Sequence, residues 1–415
     1  MNVRTNTAQV HARRARHLAL AGSIVLLTQL ALPAHAGPNE QAKRIYERLA
    51  GVPPSAAVLA QMANIINTGC GGSCQPGDPS LVSAAAIATA ASTAPTFYNV
   101  TLKNWVIPWT NRDQTVFAPL NDYAATVIGM VRDDVPFNTA LSADILYTVN
   151  SGGLPAPSNA SNSHYATAEA NGVDLSSALK QTTQSGTYGT PTAATAGLLT
   201  TYAAEAAFFI NGTNRAMFRF TMINHFCNDM QTLEDTTRPT DRIRQDVARS
   251  PGGDSRVYLN TCVGCHSGMD PMAQAFAYYN FNGTVGAVMN TGTMQYTSGQ
   301  VQPKYLINSS NFSYGFVTPD DSWSNRWRTG INAALGWSPS LPGSGSGAKS
   351  LGQELESATA FASCQVTKAF QAVCFRAPVS TTDMATVASI TSNFQSGGYK
   401  LKQVFQQVAA ACPGQ

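Results

Sequence analysis

The chain has 415 residues, of which 26 are Lys or Arg, 23 are Asp or Glu, and only 12% in all are charged. Four of the arginines lie in an N-terminal segment that we expect to be removed. Their loss leaves about one net negative charge, which gives no general electrostatic reason to bind nucleic acid or an acidic membrane. Because 44% of the residues are apolar, the composition favours a folded chain with a sizeable core over a disordered one.

Residues 1–36 have the features of an export signal. An uncharged apolar stretch occupies residues 18–32, and Ala34-His35-Ala36 has the small-x-small form of a cleavage site. The arginines that precede the stretch are Arg4, Arg13, Arg14 and Arg16. No later run reaches about 18 uninterrupted apolar residues. We therefore expect a periplasmic or extracellular protein without a transmembrane anchor after cleavage of the signal.

The rest of the chain is predicted to be mainly α-helical, beginning with an N-terminal helical domain over residues 37–150. Ile45 and Leu49 recur at helical spacing before Gly51 ends the first helix, and residues 120–131 form another helix. Residues 143–149 are the best short strand candidate. Residues 151–190 are rich in Ser, Gly, Asn and Pro, and we predict a polar loop region and a domain boundary there.

Helical periodicity returns in residues 193–209 and 214–227, within a module that we place over residues 191–341. Residues 283–315 are predicted to be an extended polar loop. The run Pro342-Gly343-Ser344-Gly345-Ser346-Gly347 reads as a flexible link. It opens a C-terminal helical module over residues 342–415.

Eight cysteines occur, and two of them belong to a sequence motif described below. The other six are an even number, as disulfide pairing would require. Cys70 and Cys74 could close a short loop that contains two glycines. Cys364 and Cys374 are predicted on one helix, where ten residues would separate them by roughly 15 Å, too far for a disulfide. They must then pair elsewhere, and Cys227 and Cys412 are the available partners.

The motif is Cys262-Val263-Gly264-Cys265-His266, which is the C-x-x-C-H signature of covalent haem attachment. Two thiols three residues apart on one helical turn can each add to one vinyl group of haem. The adjacent histidine then presents its imidazole to the iron from the same side. A redox dithiol would more naturally follow a strand, and a zinc site would need two further ligands. There is no second C-x-x-C-H, so the sequence predicts one haem c.

The residues that follow the motif suggest how the attachment turn ends. Gly268 is predicted to end the turn and Asp270 to cap a new helix. Pro271 would stand at the first position of that helix, which we expect over residues 272–279.

The second axial ligand of the iron is left open among several residues. Met294 and Met289 follow the motif in a segment that could fold over the other haem face, and His225 lies on a predicted helix. His164, in the polar region, is a weaker candidate. An open site is the remaining alternative. The cations that could neutralise the haem propionates are Arg215, Arg219, Arg242, Arg244, Arg249 and Lys304.

The motif and its surroundings resemble the haem module of the planctomycete-type cytochrome c domain families, in which C-x-x-C-H is followed by Met-Asp-Pro. The matching residues are 246–255, Cys262 to His266, and Met269-Asp270-Pro271. Patches in the C-terminal segment are similar to the short helical module that follows in those proteins. They are Phe361-Ala362, Lys368, Phe370, Arg376, Tyr399-Lys400-Leu401 and Val404-Phe405. The resemblance implies haem ligation by Cys262, Cys265 and His266.

The sequence therefore predicts a cytochrome c-like haem module flanked by helical segments with long loops. We expect electron transfer with a redox partner protein that the sequence does not identify. Two alternatives stay open. One is a haem enzyme of peroxidase or oxygenase type with an open distal site, and the other is a haem subunit of a larger exported redox complex.

Overall fold

A computed structural model of the protein describes residues 36–70, 81–238, 243–247, 255–286 and 291–412. The predicted export signal, apart from Ala36, lies outside these residues, and so do Cys74 and Met289. Within the described residues no helix combines the length and the apolar character that crossing a bilayer requires.

The fold is mainly α-helical, as predicted. The helices of the first half are α1 Pro38–Ala50, α2 Ala56–Cys70, α3 Leu81–Ser92, α4 Lys103–Val106, α5 Asp122–Arg132, α6 Ser163–Ala170, α7 Leu175–Ala178 and α8 Gln184–Tyr188. Those of the second half are α9 Tyr202–Phe208, α10 Arg215–Phe226, α11 Ser255–Thr261, α12 Val263–Ala273, α13 Gly347–Glu356, α14 Thr359–Cys374, α15 Thr381–Ser396 and α16 Leu401–Ala411.

The helix ends follow local sequence signals. The α5 helix begins where the Asn121 side chain accepts a hydrogen bond from the backbone N–H of Ala124. The α15 helix begins with a reciprocal capping box between Ser380 and Asp383. At the end of α1, Gly51 adopts a φ of 70°, a left-handed conformation that glycine accepts without a steric penalty.

Three two-stranded antiparallel sheets accompany the helices in the described residues. Their strands are β1 Leu146–Val149 with β2 Leu179–Thr182, β3 Tyr279–Thr284 with β4 Thr291–Tyr296, and β5 Ser322–Ser324 with β6 Ser344–Ser346. The strand predicted within residues 143–149 is confirmed as β1. The predicted flexible link that starts at Pro342 contains β6, which continues into α13.

One contiguous hydrophobic core runs from Ala42 in α1 to Cys412 after α16. The C-terminal helices α14 and α16 pack against each other and against α1, and α16 also packs closely against α3. Two disulfides strengthen this arrangement, Cys227–Cys364 and Cys374–Cys412. The prediction that Cys364 and Cys374 find partners in Cys227 and Cys412 is confirmed.

Two sequence-based expectations about local structure were wrong. Much of the predicted polar loop over residues 151–190 is ordered as α6, α7, α8 and β2. These elements are too short to leave a periodic signal, and they are stabilised by the pairing of β2 with β1 and by caps at Asp174 and Thr183. Within the predicted extended loop over residues 283–315, part of the chain completes the β3–β4 hairpin.

Candidate functional site

The cysteine motif lies at the start of α12. Cys262 immediately precedes the helix, and the backbone N–H of His266 donates to the Cys262 carbonyl at 3.2 Å, so the motif forms one helical turn. Cys262 and Cys265 are both free thiols and both partly exposed. The turn therefore presents two available thiols beside a histidine, which is the donor set that covalent haem attachment requires.

The Cys265 thiol lies against the segment that follows α10. Its Sγ is 3.4 Å from the carbonyl oxygen of Met230. Burial raises the pKa of Cys265, and the nearby carboxylates of Glu234 and Asp229 raise it further. At neutral pH the group is consequently held as a neutral thiol.

His266 is oriented by a carboxylate one helical turn further on. Its Nδ1 lies 3.0 Å from both carboxylate oxygens of Asp270, and the Tyr258 ring packs edge-on against the imidazole at a centroid distance of 5.4 Å. Because an ionised carboxylate can only accept, Nδ1 carries the proton. The lone pair of the neutral ring is then on Nε2, the nitrogen that a metal would take.

Asp270 is itself held in a buried ion-pair network. Arg215, the first residue of α10, donates through Nε to Asp270 at 2.7 Å and through Nη2 to Asp246 at 2.9 Å. Burial alone would raise the pKa of Asp270, but Arg215 and His266 outweigh it and hold this pKa below its usual range. The pair of carboxylates raises the pKa of Arg215 despite its burial. The network thus keeps the Asp270 carboxylate ionised beside the protonated Nδ1 of His266.

The expected helix break after the motif was wrong. Gly268 does not end a turn, and Pro271 lies inside α12 instead of starting a new helix. A Cβ at Gly268 would come within 1.9 Å of the Trp327 indole nitrogen, so the glycine allows this buried ring to pack on the helix. Tertiary packing outweighs the loss of the backbone hydrogen bond that Pro271 cannot donate. Asp270 orients His266 and does not cap a helix.

Of the candidate second ligands, His164 has partners on both ring nitrogens and His225 on Nε2, while Nδ1 of His225 has no hydrogen-bond partner within the described residues. The Nε2 of His225 is 2.8 Å from the Tyr123 hydroxyl, and the ring lies between Trp109 and Phe361. For His164, Nε2 accepts from the Val149 backbone and Nδ1 lies against a carbonyl oxygen. The His225 ring is thus buried among core aromatics, and its role as an axial ligand stays a prediction.

Of the two methionine candidates, only Met294 is among the described residues. Met294 lies opposite Phe281 in the β3–β4 hairpin, which packs against α9. The elements that pack most closely on α12 are instead α10, α11 and β5. Met294 as the second ligand therefore stays a prediction, and Met289 lies outside the described residues.

Those of the predicted propionate-facing cations that lie within the described residues have other partners, including Arg244, which donates to Gln274 and Thr318. Arg215 is committed to Asp270 and Asp246, and Arg219 pairs with Asp229 at 2.7 Å on the surface. Lys304 donates to the Phe209 carbonyl at 2.7 Å, and burial lowers its pKa to about 7. Arg242 and Arg249 lie outside the described residues.

Sequence reasoning missed Asp270 and Asp246 as parts of this site. The spacing of His266 and Asp270, four residues apart on one helix, could have indicated the first contact. The contacts that Arg215 makes with Asp270 and Asp246 left no signal in the sequence, because Arg215 is distant in the chain from both carboxylates.

Comparison of the chain with protein-family models, with curated proteins and with solved structures gives no match. In the part of the chain that the structure describes, no cluster of three or more His, Cys, Asp and Glu is arranged to hold a metal ion. A haem iron needs no such cluster, since the porphyrin supplies four of its ligands and the protein only the axial ones.

Proposed function

We propose that this protein is an exported c-type cytochrome that carries one haem on Cys262 and Cys265, with His266 as an axial iron ligand. The observation that carries the proposal is the single helical turn with two free thiols and a histidine whose Nδ1 is fixed by Asp270. When bound, haem supplies the one-electron chemistry. The chain's own residues hold it covalently, aim Nε2 at the iron, and keep Nδ1 protonated.

The two disulfides support the export that the N-terminal segment suggests. Cys227–Cys364 and Cys374–Cys412 would be kept reduced in most cytoplasms and persist in an oxidising compartment. Attachment of haem to reduced Cys262 and Cys265 would then have to precede any oxidation of these two thiols. Electron transfer with a partner protein is the function that a covalently retained haem serves most directly.

Mass spectrometry of the mature, exported polypeptide tests the proposal. We expect the mass of one haem to be added, to survive denaturation, and to map to the peptide that contains Cys262 and Cys265. A polypeptide mass without that addition, after expression with a functional haem-attachment system, would contradict the proposal. The same sample locates the N-terminus and tests cleavage after Ala36.

A second candidate function is a haem enzyme with an open distal site. Two observations favour it: the Nε2 of His225 is engaged by the Tyr123 hydroxyl, and the Asp270 carboxylate increases the electron-donating character of the His266 imidazole. Absorption spectra separate the two functions. Low-spin spectra in both oxidation states indicate electron transfer, whereas a high-spin ferrous form that binds carbon monoxide rapidly indicates the enzyme.

A further inference from the structure

A second region of the molecule has the form of a ligand site and has no part in haem attachment. It is an open cleft of about 610 Å³ between the end of α1, the segment that contains α4, and α14. This volume is within the range of small-molecule sites, which is about 300–1,000 Å³. We call it the tryptophan cleft, and its walls include Arg48, Trp105, Trp109, Lys368, Gln371 and Phe375.

The floor of the tryptophan cleft is aromatic. Trp105 and Trp109 pack edge to face with ring centroids 4.5 Å apart, and both are largely buried. The backbone that carries them is irregular, since the π-helical turn Phe97–Leu102 leads through α4 into the 3-10 turn Ile107–Thr110. Such π-helical turns are rare and are often found at functional sites.

The cations of the cleft are unusual in lacking acidic partners. Within the described residues neither Arg48 nor Lys368 forms an ion pair; Lys368 stands over the Trp109 ring at 4.9 Å. The acidic wall residue, Glu47, lies 4.0 Å from Lys43 on the same helix. Burial lowers the pKa of both cations, that of Lys368 to about 8, and Arg44 and Arg376 lower that of Arg48 further. The cleft therefore favours an anion that would pair with these groups.

The rim of the cleft presents an exposed aromatic ring in a constrained position. Phe375 is 74% exposed and has a φ of 55°, a conformation that costs free energy for a residue of this kind. It is held by the adjacent Cys374–Cys412 disulfide, and Arg48 donates to the Cys412 carbonyl while lying 5.9 Å from the Phe375 ring centroid. The surrounding structure thus keeps a large apolar ring at the mouth of a cationic cleft.

We propose that the tryptophan cleft binds a small planar aromatic carboxylate. The ring of such a ligand would pack against Trp105, Trp109 and Phe375, and its carboxylate would pair with Lys368 and Arg48. Aromatic walls with a few convergent polar groups are the usual composition of a small-molecule site. This proposal is independent of haem attachment.

Isothermal titration calorimetry of the full-length protein tests it, with 2-naphthoate as the probe and 2-naphthylmethanol as its uncharged counterpart. We expect saturable binding of 2-naphthoate at one site and much weaker binding of the alcohol. Lys368→Met and Arg48→Met should each weaken 2-naphthoate binding roughly ten- to a hundredfold, as expected for the loss of a charge-assisted contact. Lys180→Met, which removes an exposed lysine on β2, should leave the affinity for 2-naphthoate unchanged.

A variant at the rim of the cleft provides a further test if the Lys368 or Arg48 substitution impairs folding. Phe375→Ala alters an exposed side chain and should weaken 2-naphthoate binding roughly two- to tenfold with an unchanged circular dichroism spectrum. Absence of saturable binding to the wild-type protein would overturn the proposal. Equal binding of the acid and the alcohol, or binding insensitive to the Lys368, Arg48 and Phe375 substitutions, would overturn it as well.

Discussion

Two histidines with opposite surroundings show how the fold assigns different roles to one residue type. His266 is 20% exposed, lies beside two free thiols, and has Nδ1 on the Asp270 carboxylate. His225 is only 1% exposed and has its Nε2 on the Tyr123 hydroxyl. The first environment leaves Nε2 of His266 for a metal, while the second engages Nε2 of His225 and disfavours charge on that ring.

The difference lies in the partners that each ring meets. Burial lowers the pKa of His225 to about 3, and the nearby Lys368 adds to the effect, so this ring stays neutral at physiological pH. Its ring stacks on Phe361 at a centroid distance of 5.8 Å, close to the Cys227–Cys364 disulfide. The comparison teaches that His225 is part of the core that joins α10 to α14, whereas His266 lies in the partly exposed site that we propose for haem.

The largest expected effect comes from replacing the cysteines near each of the two histidines with serine. Replacing Cys262 and Cys265 with Ser should abolish covalent haem, since no thiol would remain to form a thioether. Replacing Cys227 and Cys364 with Ser should leave haem attached but destabilise the fold by about 5 kcal/mol, because this disulfide closes a loop with a sequence separation of 137 residues. Haem staining after denaturing electrophoresis and denaturant unfolding measure the two effects. Haem retained without the motif thiols would contradict the proposed attachment.

The next effect concerns the Asp270 carboxylate that lies beside Nδ1 of His266. Asp270→Asn removes a buried carboxylate that Arg215 and His266 share, and we expect a loss of about 3 kcal/mol in the free energy of unfolding. In the haem-loaded protein the reduction potential should rise by tens of millivolts, because a less basic imidazole stabilises ferric iron less. Redox titration measures this shift.

The matched control for Asp270 lies on the surface beside the same helix. Asp229→Asn breaks the exposed pair with Arg219 and should cost less than about 1 kcal/mol. Because Asp229 lies near Cys265 but makes no contact with His266, this substitution should shift the potential much less than Asp270→Asn does. If both substitutions shift the potential equally, the effect is a general one of charge and not of the contact with His266.

A smaller effect should appear in the pH dependence of stability. His225 has a lowered pKa in the folded state, so the unfolded chain binds its proton more readily between about pH 6.5 and pH 3. Lowering the pH from 7 to 5 should therefore cost about 2 kcal/mol of stability through this residue. His225→Gln should remove that part of the pH dependence. Denaturant unfolding of both proteins at the two pH values measures it, and an identical slope would show that His225 is not held neutral.

The smallest effect is expected in the β3–β4 hairpin. Met294→Leu nearly conserves volume in a residue that packs toward α9, so we expect a cost below about 1.5 kcal/mol and an unchanged visible spectrum of the haem-loaded protein. A change from low-spin to high-spin absorption would instead identify Met294 as the second iron ligand. That result would add a second ligand-bearing region to the one around His266.

Much of the helical organisation could be predicted, because amphipathic periodicity and caps are local. The start of α5 at Asn121 and the strand β1 are examples. The elements within residues 151–190 could not, since β2 exists through its pairing with β1, about 30 residues earlier in the chain. The assigned domain boundaries and the haem module remain predictions.

The sequence by itself singled out the residues proposed for haem attachment, because Cys262, Cys265 and His266 lie on one helical turn whose geometry is local. It also restricted the disulfide partners, since a straight helix separates Cys364 from Cys374. Only the tertiary structure decided which cysteines pair, that Asp270 and Arg215 fix His266, and that His225 serves the core. These outcomes depend on segments distant in the chain, and their contacts form only when the whole core packs.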